Sequence, residues 1–175
     1  LSLITILLLF AINVGTHFWG SHARNASMDA YRNSVDAAKL STEVEQLLED
    51  QRQKILILAA LRDTTEDQLE NVELERAEDA IVTINARIQE LGKLSHGVTE
   101  LNYEQLWESS SHLLKRWLNF YRNYNNPNFE SDMSDPLPFL EVSQRLKELE
   151  QRQAFIAAQR ANIIDRTISL TDKIT

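Results

Sequence analysis

This chain has almost nothing with which to end a helix. Three prolines and four glycines serve 175 residues, and two of the prolines, Pro136 and Pro138, stand within three positions of each other. Proline removes a backbone donor and clashes with the preceding turn, and glycine carries the largest conformational cost, so their scarcity lets helices run long. The pattern predicts four helices in the soluble part, over residues 26–62, 66–98, 103–126 and 139–175. Thr65 with Gln68, and Asn102 with Gln105, have the spacing of an N-cap residue and its reciprocal partner. Gly92 and Gly97 are expected to loosen the end of the second helix. The segment PNFESDMSDPLP at 127–138 combines proline with Asn, Ser and Asp, and is expected to form the one long loop.

Apolar residues recur at alternating steps of three and four, which places them on one face of each helix. The seams are Leu40, Val44, Leu47, Ile55 and Leu58; then Leu74, Ala77, Ile81, Ile84, Ile88 and Leu91; then Leu106, Ser110, Leu113, Trp117, Phe120 and Tyr124. In the last helix Val142, Leu149, Ile156, Ile163 and Leu170 stand at strict sevens, the repeat of a left-handed supercoil. The fold class expected is all-α: an antiparallel up-down-up-down four-helix bundle, with an N-terminal transmembrane helix continuous with helix one.

That membrane helix is inferred from charge. Residues 1–20 (LSLITILLLFAINVGTHFWG) contain no Asp, Glu, Lys or Arg, so the 18 basic and 26 acidic residues all lie within 21–175. Two domains are therefore expected: a transmembrane segment at 1–20, truncated at its N-terminus, and an extracytoplasmic bundle at 21–175. Trp19, with His17 and His22, has the character of an interfacial anchor. The alternative is a secretory signal cleaved after Ala23, since Ser21-His22-Ala23 has the small-x-small pattern. An even number of helices returns the chain to its starting side, and the heptads run to Thr175 without a stop, so a second membrane helix is expected beyond it. There is no cysteine, which excludes disulfides and thiolate metal sites, and the net charge of −8 argues against nucleic-acid binding.

A charge-free run leading into four long amphipathic helices, the last aimed back at the membrane, resembles the periplasmic sensor domains of bacterial transmembrane receptors, namely chemoreceptors and sensor histidine kinases. Helix one carries no recognisable sensor box of the nitrate-type kinases, so nitrate gains no support as a ligand. The resemblance implies a location in the inner membrane with the bundle in the periplasm. It also implies a homodimer, a small-molecule ligand or periplasmic binding protein as partner, and a small helix displacement passed to an output module. The competing expectation is a membrane-anchored scaffold without small-molecule sensing.

Candidate ligand residues gather where helices one and three reach the same height. Trp117 and Tyr121 offer aromatic faces, while Arg52, Arg62 and Arg122 offer guanidinium forks to an anion. Gln51, Gln153, Arg160 and Thr167 interrupt the apolar seams, and Gln51 and Gln153 are expected to share a layer to within a turn. Glu108 and His112 share a helix face, but the Glu-x-x-His pairs of a di-iron bundle are missing. No metal, cofactor or catalytic residue is expected, and the acidic stretch 73–79 is read as a solvated helix face.

Overall fold

The computed structural model describes the backbone of residues 3–64, 68–95, 99–130 and 132–172, and the side chains within 21–166 apart from 23, 65–67, 96–98 and 131. The described residues form four helices: α1 (Leu3–Thr64), α2 (Asn71–Ser95), α3 (Glu100–Arg122) and α4 (Leu137–Asp172). There is no strand among the described residues. The chain divides into two compact units, one formed by Asp36–Gln153 and the other by Leu1–Val35 with Ala154–Thr175.

The unit Asp36–Gln153 holds the whole described apolar core. Val44, Leu48 and Ile55 of α1 are buried with Ile84, Ile88 and Leu91 of α2, Leu106, Leu113 and Phe120 of α3, and Val142, Leu146 and Leu149 of α4. Each such side chain contributes roughly 1.5–3 kcal/mol by leaving water. On α1 the buried residue is Leu48, with Leu47 only partly covered, so the stripe lies slightly to one side of the predicted seam. On α4 the predicted sevens are core at Val142 and Leu149, interleaved with Leu146 and Gln153.

In the unit Leu1–Val35 with Ala154–Thr175, Ser34 is the one buried side chain among the described residues, and its hydroxyl returns to the Ala30 carbonyl at 3.0 Å. Here the heptad positions Ile156 and Ile163 are half-buried and exposed, and Arg160 is half-buried. The side chains of Leu170 and Thr167 lie outside the described residues, as do those of the expected membrane segment at 1–20. Among the described residues no helix is long and apolar enough to cross a membrane.

Helix ends depart from the predicted ones for local chemical reasons. α2 begins at Asn71 rather than at 66, because Leu69 is clasped by the Asn125 amide: the Leu69 N–H donates to Asn125 Oδ1 and Asn125 Nδ2 donates to the Leu69 carbonyl, both at 3.0 Å. Glu73 then reaches back to the Glu70 N–H at 3.3 Å, the acidic half of a capping box. Thr65 and Gly97, parts of the predicted punctuation, lie outside the described residues. Gly92 does not loosen α2, which runs through it to Ser95; a Cβ there would lie 2.3 Å from Tyr103 Cζ, so glycine lets that ring lie against the helix backbone.

α3 starts at Glu100, and Asn102 lies inside it. Its preceding residue, Thr99, makes no side-chain cap, because the Thr99 hydroxyl accepts from Gln153 instead. α3 ends at Arg122, where turns over 123–125 keep Tyr124 buried with its hydroxyl donating to the Leu58 carbonyl at 3.2 Å. α4 starts at Leu137, its N–H held at 3.1 Å by Asp135, a carboxylate placed favourably at a helix N-terminus. Pro138 is accommodated in the first turn, where a missing N–H costs little.

Candidate functional site

Among the described residues, two buried glutamines interrupt the core. Gln51 of α1 donates its side-chain amide to the Tyr121 hydroxyl of α3 at 2.5 Å, with both residues almost completely covered. Burial pushes the Tyr121 phenol up to about 12, and the amide donated by Gln51 pulls partly against that shift. Gln153 of α4 donates to Thr99 Oγ1 at 2.6 Å and Ser95 Oγ at 3.3 Å, while Ser95 donates to the Leu91 carbonyl. Burying an amide is costly unless it is paired, and both glutamines have partners.

The two glutamines do not share a layer. Their partners, Tyr121 in α3 and Thr99 just before it, are 22 residues apart, about 33 Å at the helical rise. The long segment after α3 explains the offset. Arg62 donates to the carbonyls of Asn126 and Phe129, and further along Arg116 donates to the Asp132 carbonyl and pairs with Asp135 at 3.6 Å. The segment thus descends the side of the unit, and α4 starts level with Arg52, whose guanidinium lies 4.6 Å from the Phe139 ring centroid.

The Gln51–Tyr121 pair forms the floor of a groove of about 390 Å³ between α1 and α2. Ile57, Leu58 and Leu69 supply apolar wall, and the small side chains Ala77 and Ala80 leave the space open. Lys54 and Arg76 stand at the rim, and among the described residues neither forms an ion pair. The one lining carboxylate, Glu73, is turned to the Glu70 N–H. An apolar trough with a few convergent polar groups is the usual form of a small-molecule site.

The five residues expected to bind ligand are not brought into one place. Arg52 and Trp117 line a cleft of only about 60 Å³, which Met133, Pro136 and Phe139 help to fill, and Arg52 is also 3.3 Å from Glu49. Arg62 is committed to the descending segment, with its guanidinium 5.5 Å from the Phe129 ring centroid. Arg122 faces Glu78 in an exposed pair at 3.1 Å. Tyr121 alone reaches the α1–α2 groove, and it does so from the core rather than from beside it.

Sequence reasoning passed over Lys54 and Arg76. Their signal was present: Lys54 follows Gln51 by about one turn, and Arg76 stands next to Ala77 and one turn before Ala80, two small residues ahead of Ile81 and Ile84. Glu108 and His112 border a separate cleft of about 350 Å³ with Glu141, whose carboxylate accepts from Ser109 at 2.9 Å. Among the described residues no group of three or more His, Cys, Asp or Glu is placed to hold a metal ion. No family model, curated protein or solved structure matches this chain.

Arg62→Ala removes the clasp on the carbonyls of Asn126 and Phe129 without touching the core. The expected result is faster proteolysis and amide exchange within 126–136, with global stability lowered by only about 1 kcal/mol. A cooperative loss of the whole unit would show that this arginine does more than hold the segment.

Proposed function

We propose that the chain is the extracytoplasmic sensor domain of a bacterial transmembrane receptor, anchored in the inner membrane by residues 1–20 and acting as a homodimer. One observation carries this reading: α1 is a single helix from Leu3 to Thr64, so the charge-free run and the groove residues Gln51, Lys54, Ile57 and Leu58 belong to one element. A ligand or periplasmic binding protein that favours one setting of α1 can bias the segment entering the membrane. It does so only to the extent that it binds the two settings unequally. The role assigned is binding and transmission rather than catalysis, with any output module lying outside these residues.

Pairings inside Asp36–Gln153 support an antiparallel up-down-up-down order. Glu43 meets Arg87 while residues 51–58 meet 69–80, so numbers rise on α1 as they fall on α2. Arg122 with Glu78, and the close α2–α3 connection at Ser95 and Thr99, give α2 and α3 opposite senses. Ser109 with Glu141, and Gln105 with Arg145, do the same for α3 and α4.

The test uses single cysteines at successive positions from Met28 to Asp36 in intact cells. A membrane-impermeant maleimide is expected to label them from outside, and oxidation is expected to cross-link protomers with helical periodicity. Protection of every position from the reagent would place the domain on the other side of the membrane. Uniform absence of cross-links would remove the dimer and leave the anchored scaffold as the better account.

A further inference from the structure

We propose that the groove between α1 and α2 binds a small organic carboxylate with an apolar body, its carboxylate held by Arg76 and Lys54. The proposal gives the sensor reading its ligand class and rests on that reading for its purpose, though binding is measurable on the purified protein alone. The groove lies within the unit Asp36–Gln153 and holds about 390 Å³, within the usual range for small-molecule sites.

Charge sets the sign of the ligand. Lys54 and Arg76 are two cations at one rim with no ionic partner among the described residues, whereas Arg52, Arg87, Arg116, Arg122 and Arg145 each have a carboxylate. In a chain of net charge −8, what favours an anion is that these two cations stand together beside one apolar trough, since Lys39, Lys93, Lys115 and Lys147 also form no ion pair among the described residues. Glu73 opposes them only in part, because its carboxylate is engaged by the Glu70 N–H at the start of α2. The planar guanidinium of Arg76 suits the two oxygens of a carboxylate, and the Lys54 ammonium supplies a second charge.

The rest of the lining sets the body. Leu58 and Leu69 give apolar wall, and alanine at positions 77 and 80 leaves room where isoleucine follows at 81 and 84. A compact aromatic or branched group meets those surfaces, while a sugar or inorganic anion would leave them wet. At the floor the Gln51 amide donates to Tyr121, which holds that part of the wall in place.

The experiment titrates phenylacetate and benzoate into the purified 175-residue protein, with phenylacetamide and benzamide as neutral isosteres, and follows thermal unfolding and calorimetric heat. The carboxylates are expected to stabilise the wild type and the amides to do so at least tenfold more weakly. Lys54→Gln combined with Arg76→Gln is expected to weaken carboxylate binding at least tenfold while far-UV circular dichroism and ligand-free unfolding stay unchanged. Ala77→Leu is expected to block binding by filling the trough, and Arg122→Gln, whose charge faces Glu78 instead, is expected to bind as the wild type does. Amides binding as well as carboxylates, undiminished binding in the double variant, or no stabilisation by either carboxylate would each overturn the proposal. Failure here leaves the cysteine results standing, and binding without external labelling would instead remove the membrane receptor while keeping the site.

Discussion

Phe120→Ala is expected to lower the stability of the unit Asp36–Gln153 by about 3–5 kcal/mol, the range for emptying a buried aromatic site. Phe120 is 1% exposed, and its ring meets two others edge-on: Tyr121 at 5.8 Å and 62°, and Tyr124 at 5.6 Å and 89°. Each such contact adds about 0.5–1.5 kcal/mol beyond area burial, so the cavity and the lost ring contacts act in the same direction. Small domains have only about 5–15 kcal/mol in total, and the midpoint of thermal unfolding should fall by on the order of 10–20 °C. Trp107→Ala, on the half-covered face of α3, is the comparison and should cost only roughly 1–2 kcal/mol. Equal losses in the two variants would mean that the aromatic group does not form the core.

The residues of that core were legible because a helix repeats every 3.6 residues and apolar side chains must share a face. All six seam positions predicted for the third helix, from Leu106 to Tyr124, are buried, and so are the four isoleucine and leucine positions of α2 from Ile81 to Leu91. What periodicity cannot convey is height along an axis. Arg62 and Arg116 fix the descent by gripping the backbone carbonyls of Asn126, Phe129 and Asp132, which carry no sequence signal, and the offset of α4 follows from that grip. The same limit explains the candidate site. Arginines are conspicuous in a sequence, but whether a guanidinium is free depends on tertiary partners. Arg62 and Arg122 have found theirs in Asn126, Phe129 and Glu78, whereas Lys54 and Arg76 have not found any among the described residues. Tyr121 adjoins the predicted seam position Phe120 and is buried as well, which the Gln51 amide permits by pairing its hydroxyl.

Stability is expected to decline steeply between pH 10 and pH 12 through that same hydroxyl. Burial disfavours the Tyr121 phenolate, so the folded protein holds the proton to about 12 against an ordinary value of 10.0. A group whose folded value is raised stabilises the fold fully below the unfolded value and loses that contribution as pH climbs toward the folded one. Two units correspond to roughly 2–3 kcal/mol, all of it present at neutral pH. Tyr103 is also raised by burial, so the wild-type curve alone does not isolate the effect. Tyr121→Phe does isolate it. That variant keeps the ring but leaves the buried Gln51 amide without its acceptor, which should cost about 1–3 kcal/mol at pH 7. It has no phenol to ionise there, so its stability should fall less with pH, and the two curves should converge as pH 12 is approached. Urea unfolding at a series of pH values, with phenolate absorbance followed in parallel, measures both. Curves that stay parallel across the range would show that Tyr121 ionises freely, and the buried amide–phenol pair at the floor of the groove would have to be abandoned.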